Sequence, residues 1–242
     1  MDSANRKRWT AQGSLIVAAA LAICILGVTS ASAASEKKAD AERLVEKSRL
    51  AFEAFVADKD MGPPLKSLLS RAKGVLIYPQ VLKGAFIVGA AGGSGVMLAH
   101  EEKAPHWTGP AFYTMGEASF GLQIGGEAME VVLVALTERG VSALLSTSVK
   151  LGGNVGVAAG PVGAGATAAT QNLSADIVSY ARSKGLFAGV SLDGAVVDVR
   201  ESLNDAYYGK KVTPTDILIK GSAKNAQANK LKAAVNKAAG GK

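Results

Sequence analysis

From Val75 onward the apolar residues of this chain recur every second position, and that change of period is what most limits the folds open to it. Val75-Leu76-Ile77-Tyr78 reads as a short strand stopped by Pro79, because proline cannot donate to a sheet ladder. Ala85 to Ala91 and Ser94 to His100 read as two strands joined by a turn at Gly92-Gly93. Within Phe112 to Ile124, Ala118, Phe120, Leu122 and Ile124 share one face, and Glu117, Ser119 and Gln123 share the other. Val131 to Leu136 is uninterrupted apolar sequence, which predicts a strand buried on both faces. Leu173 to Ala181 alternates again, and Asp193-Gly194 between Leu186–Leu192 and Ala195–Val199 is a hairpin signal. Residues 152–168 are mostly Gly, Ala and Val; they suit either a strand approached closely by other backbone or a mobile loop. About eight strands leave exposed edges unless the sheet closes or curves strongly, and the 28 glycines fit such bending.

Helical patterns flank this region. Ala41, Leu44, Val45, Ala51, Phe52, Phe55 and Val56 form an apolar stripe along Glu36 to Val56, with charges of both signs elsewhere, and Met61-Gly62-Pro63-Pro64 ends it. A second helix carries Leu65, Leu68, Leu69 and Ala72 and closes at Gly74. Glu138 to Leu145 suits a short helix, as do Leu203 to Tyr207 before Gly209, and a segment capped by Thr213 with Pro214 at its first position. The expected fold is therefore α+β: a predominantly antiparallel, strongly curved or barrel-like sheet preceded by two N-terminal helices, with short helices near the C-terminus.

The ends differ from the body. Arg6, Lys7 and Arg8, the apolar run Leu15 to Val28 and Ala31-Ser32-Ala33 have the form of a secretory signal peptide over 1–33, cleaved before Ala34; an uncleaved anchor is the alternative. Cys24 follows Ile23 rather than a small residue, which argues against a lipoprotein leader. No cysteine remains after cleavage, so disulfides, thiolate nucleophiles and Cys-ligated zinc are excluded. Residues 220–242 hold six lysines and no acid, leaving 18 basic and 19 acidic residues in 34–219. The body is thus nearly neutral, and a domain-wide nucleic-acid face is not expected. The expected organisation is signal peptide 1–33, domain 34–219, and a Lys/Ala-rich tail 220–242, disordered in isolation.

Catalytic signals are weak. His100 and His106 lie near Glu101 and Glu102 at no spacing typical of a metal site, and read as a solvated polar loop. Glu127 and Glu130 need only face solvent. Gly189-Val190-Ser191-Leu192-Asp193 lacks the last glycine of a nucleophile elbow, and Gly163 to Ala168 lacks the strand-loop-helix context of a dinucleotide loop. No catalytic residue, metal or cofactor is expected. Two features suit a membrane surface. Lys37, Lys38, Arg43, Lys47 and Arg49 stand beside the apolar stripe of the first helix, and could attract anionic headgroups while the stripe inserts. The stripe could equally pack on the sheet, and Glu42, Glu46 and Glu53 dilute the charge. The lysine tail would add anionic affinity or only solubility.

The segment from about Ala41 to Ile219 resembles the SYLF domain family through ordered pieces. They are Ala72 to Pro79; His106 to Tyr113 with Ser119 to Gly125; Gly152 to Asn154 through Ala159 to Gly163; Ser179-Tyr180 through Lys184 to Gly194; and Asn204 to Gly209. The resemblance implies a non-catalytic domain that binds phospholipid, with membrane contact through a basic amphipathic N-terminal helix, here the region of Lys37, Lys38, Arg43 and Lys47. Some members also bind actin; for an exported chain actin is not an expected partner, and anionic phospholipid is. The alternative is an envelope scaffold that self-associates or binds a protein partner.

Overall fold

A computed structural model describes residues 34–85, 88–101, 106–120, 125–153, 155–163, 166–171, 174–183, 186–189 and 192–241. The signal segment 1–33 lies outside them, as do Glu102, Leu122 and Ile124. The expected α+β fold is what forms. Helix α1 spans 34–57 and α2 Gly62–Leu69. Strands β1 (Gly74–Ala85), β2 (Val88–His100), β3 (Trp107–Phe120) and β4 (Gly125–Ala135) follow as an antiparallel set. Then come α3 (Glu138–Leu145), β5 (Ser148–Lys150), β6 (Val157–Ala159), α4 (Ala166–Gln171), β7 (Ile177–Ser183), β8 (Leu186–Gly189) and β9 (Val196–Val199). The chain ends with α5 (Glu201–Tyr208), α6 (Pro214–Leu218) and α7 (Asn229–Ala238).

The strand order is β5-β9-β3-β2-β1-β4-β7-β6, with β8 also on β7. In a flat sheet the outer strands of that path would stand about 34 Å apart, at seven spacings of about 4.8 Å. The chain from Lys150 to Val157 reaches at most about 24 Å. The sheet therefore has to curl, and Leu151 bridges Val155 in parallel where its two edges approach.

Both faces are buried. Val75, Ile77, Val132 and Val134 point to a core covered by α1, α2, α5 and α7. Leu76, Tyr78, Val131 and Leu133 point to a second core within the curl, which includes Leu151, Val155, α3 and α6. That division explains the uninterrupted apolar runs. Fully buried Asn204 fastens α5 to the sheet: its Oδ1 accepts from the Phe112 N–H at 2.9 Å.

Three expectations about turns are corrected. Pro79 does not stop β1; it lies in a bulge, where Ile77 pairs with Val96 but Gln80 with Ser94. Gly92-Gly93 is not a hairpin but the middle of β2. A Cβ on Gly93 would lie 2.2 Å from the Gln80 carbonyl oxygen, so glycine there lets β2 pass the bulge. Asp193-Gly194 is a turn, Gly194 having φ +92°, but among the described residues its flanking strands do not pair with each other. β8 pairs with β7, and β9 with β3 and β5.

The tail is also corrected. Far from being disordered, Asn225 caps a short turn of helix and α7 follows, burying Leu231, Val235 and Ala238 in the α1-covered core. Gln227 Nε2 donates to the Glu42 carbonyl at 3.1 Å, fastening this segment to α1. Three apolar residues spaced four and three apart are enough for one buried stripe once a neighbouring helix supplies the other wall.

Candidate functional site

Helix α1 settles which of its faces is free. Ala41, Val45, Ala51, Phe52 and Phe55 are at most 4% exposed and belong to the core. The apolar stripe packs on the sheet and is not available to enter a bilayer, which corrects the first of its two sequence readings. No helix among the described residues is long and apolar enough to cross a membrane.

The five cations assigned from sequence separate into three groups. Lys37 and Lys38 are exposed on the first turns of α1. Arg49 is held between Glu46 and Glu53, with Nη1 2.7 Å from the Glu53 carboxylate. Those hydrogen bonds raise its guanidinium above the ordinary arginine value, and Arg49 lowers Glu46 in turn. Arg43 pairs with Asp40 one turn before it, while Lys47 is exposed.

Arg43 and Lys47 together line one edge of a groove beside α1. Lys47 stands between two depressions and borders both. The smaller, about 220 Å³, adds Arg43, Leu44, Arg200 and Leu203. The larger, about 670 Å³, adds Leu50, Pro79, Met129, Glu130 and Arg182. Leu50 is 53% exposed there. Arg200 Nη1 donates to Ser94 Oγ at 2.6 Å, and Arg182 pairs with Glu130 while its guanidinium carbon lies 5.9 Å from the Phe55 ring centre. The groove thus presents four cations, Lys47 with Arg43, Arg182 and Arg200 around it, two of them facing acids, beside exposed apolar surface. That combination suits an anionic group attached to an apolar body.

Arg182 and Arg200 escaped the sequence reading because Arg182 lies in β7 and Arg200 follows β9, both far along the chain from α1. Arg200 carried a usable signal: it occupies the N-cap of α5, where the helix dipole disfavours a cation and a small polar side chain is usual. The carboxylates weighed for acid–base work are engaged apart, Glu130 with Arg182 and Glu127 accepting from Ser183 Oγ. His106 Nε2 lies 2.6 Å from the Glu101 carboxylate, and His100 meets the edge of Trp107.

Residues 116–238 match the family described as "Ysc84: Las17-binding protein actin regulator", a span that runs to the end of α7. Protein YSC84 of Saccharomyces cerevisiae is 37% identical over 171 residues, which are 69% of this chain and 35% of the relative. LAS seventeen-binding protein 3 of the same species is 35% identical over 170 residues, 69% of this chain and 36% of the relative. SH3 domain-containing YSC84-like protein 1 of Homo sapiens is 34% identical over 166 residues, 68% and 48%. The matched segment thus spans between about a third and a half of these relatives' length.

Proposed function

This chain belongs to the Ysc84 (SYLF) family, and we propose on that footing that it is a non-catalytic phospholipid-binding protein of the cell envelope, taking an anionic headgroup in the groove beside α1. The observation that carries the reading is the position of Lys47 between two depressions, with Arg43 and Arg200 on one side and Arg182 and Leu50 on the other. Each cation held near an anionic bilayer contributes roughly 1 kcal/mol. Because the stripe of α1 is committed to the core, attachment rests on charge, with Leu50 and Met129 touching the acyl region. Such binding weakens as salt shortens the screening length. Export by the signal-like segment 1–33 brings the domain to the envelope. The Las17 binding and actin regulation stated in the names of the family and its relatives are not carried over to an exported chain.

Flotation tests this reading. The chain from Ala34, which holds every described element of the fold, is mixed with vesicles of phosphatidylcholine alone or with phosphatidylglycerol. The expected result is flotation with the anionic vesicles at low salt and release at high salt. No flotation on either vesicle at low salt, with an ordered lipid-free oligomer in light scattering, would favour the scaffold alternative.

A further inference from the structure

A separate depression, sharing no residue with the two that form the groove, lies where the ends of β2 and β3 meet the C-terminal segment. Its volume is about 350 Å³. Glu101, His106 and Trp107 come from the β2–β3 end, Lys220 and Lys224 from the segment after α6, and Lys232 from α7. Ordering of the tail is what brings these lysines to Trp107.

The charges there are unevenly balanced. Glu101 faces His106 at 2.6 Å, and Lys220 Nζ lies 2.9 Å from Asp216. Lys224 and Lys232 form no ion pair among the described residues and instead feel each other. Burial, and then the charge of Lys224, push the half-buried Lys232 below the ordinary lysine value. In the same wall, Trp107 is 3% exposed, and its indole N–H is buried with no acceptor among the described residues. Two uncompensated ammonium groups suit a ligand with several acceptor oxygens and more than one negative charge.

We infer that this depression binds a phosphomonoester group through Lys224 and Lys232, beside the Trp107 side chain that borders it. The volume exceeds a bare phosphate, so the group comes on a small polar carrier, either a lipid headgroup or a soluble phosphate ester. Carboxylates are poorer candidates because one negative charge leaves a lysine unmatched.

The test follows the indole N–H resonance in ¹⁵N-labelled chain from Ala34, where Trp107 is the one tryptophan because Trp9 precedes the cut. The probes are inorganic phosphate, glycerol 3-phosphate and vesicles containing phosphatidic acid, each against sodium chloride at equal ionic strength. A saturable shift with the soluble phosphates assigns a soluble source. A shift with phosphatidic acid vesicles alone assigns a headgroup, and both support the site. Lys224→Glu, at an exposed position, is expected to weaken the response at least tenfold, as is Lys232→Gln, while Lys66→Ala, exposed on α2 and bordering neither this depression nor the groove, leaves it intact. No saturable shift beyond the chloride control with any probe, or an unchanged response in Lys224→Glu, overturns the inference.

Discussion

Gly160 lies against the phenol ring of Tyr180, so close that a Cβ there would stand 2.1 Å from Tyr180 Cζ. Its N–H donates to the Ser179 carbonyl at 2.9 Å, which holds the end of β6 along β7. Gly160→Ala must displace a buried ring or break this pairing, at a cost of about 1–3 kcal/mol. Gly116→Ala, where nothing lies within 4 Å of the added carbon, is expected to change stability by less than about 0.5 kcal/mol. Urea unfolding of both variants checks this, and equal effects would contradict it.

Asp176 ties β7 to the start of α3 and to the residues before β6. Its side chain is 5% exposed and accepts from Arg139 Nε at 3.0 Å, Thr137 Oγ1 at 2.7 Å and the Gly156 N–H at 2.9 Å. The Arg139 hydrogen bond above all, aided by Thr137 and Gly156, outweighs burial and holds its pKa down to about 2. An unfolded aspartate titrates near about 3.9. The folded value is the lower one, so this contribution is fully present above about pH 4 and is lost as pH falls toward 2. Urea midpoints from pH 6 to pH 2 should show Asp176→Asn clearly less stable at pH 6, with the gap to the parent protein narrowing below pH 4. A gap independent of pH would contradict the assignment.

Helix α7 is expected to be part of the cooperative fold. Leu231 is 1% exposed, and Leu231→Ala should cost about 2–5 kcal/mol by leaving a cavity beside α1. Exposed Lys237→Ala should fall within about 0.5 kcal/mol. Thermal and urea unfolding measure both, and a neutral Leu231→Ala would mean that the tail does not stabilise the domain.

Periodicity and capping chemistry made much of the fold legible. Alternation marked the strands, Thr213-Pro214 announced α6 through a full capping box with Asp216, and Gly209 closed α5 at φ +67°. Glycine was the residue that misled. Gly92-Gly93 has the composition of a turn, yet its absent side chains accommodate a bulge in the neighbouring strand, and one chain segment alone carries no sign of what approaches it. The tail misled for a related reason: its few apolar residues acquire a core only when α1 and α2 are beside them. The groove was half legible. Arg43 and Lys47 stood on a recognisable basic helix, whereas Arg182 and Arg200 reach it only through the curl of the sheet, and the stripe on the same helix serves the core.

The most direct test of the groove is the affinity of the chain from Ala34 for phosphatidylglycerol vesicles at low salt, before and after Lys47→Glu. Reversing one charge worth roughly 1 kcal/mol in each sense predicts about 30-fold weaker binding, deepened by Arg200→Glu. Arg49→Ala, at a side chain already held by two glutamates, should bind as the parent protein does. Unchanged affinity in Lys47→Glu, or an equal loss in Arg49→Ala, would contradict a headgroup site beside α1.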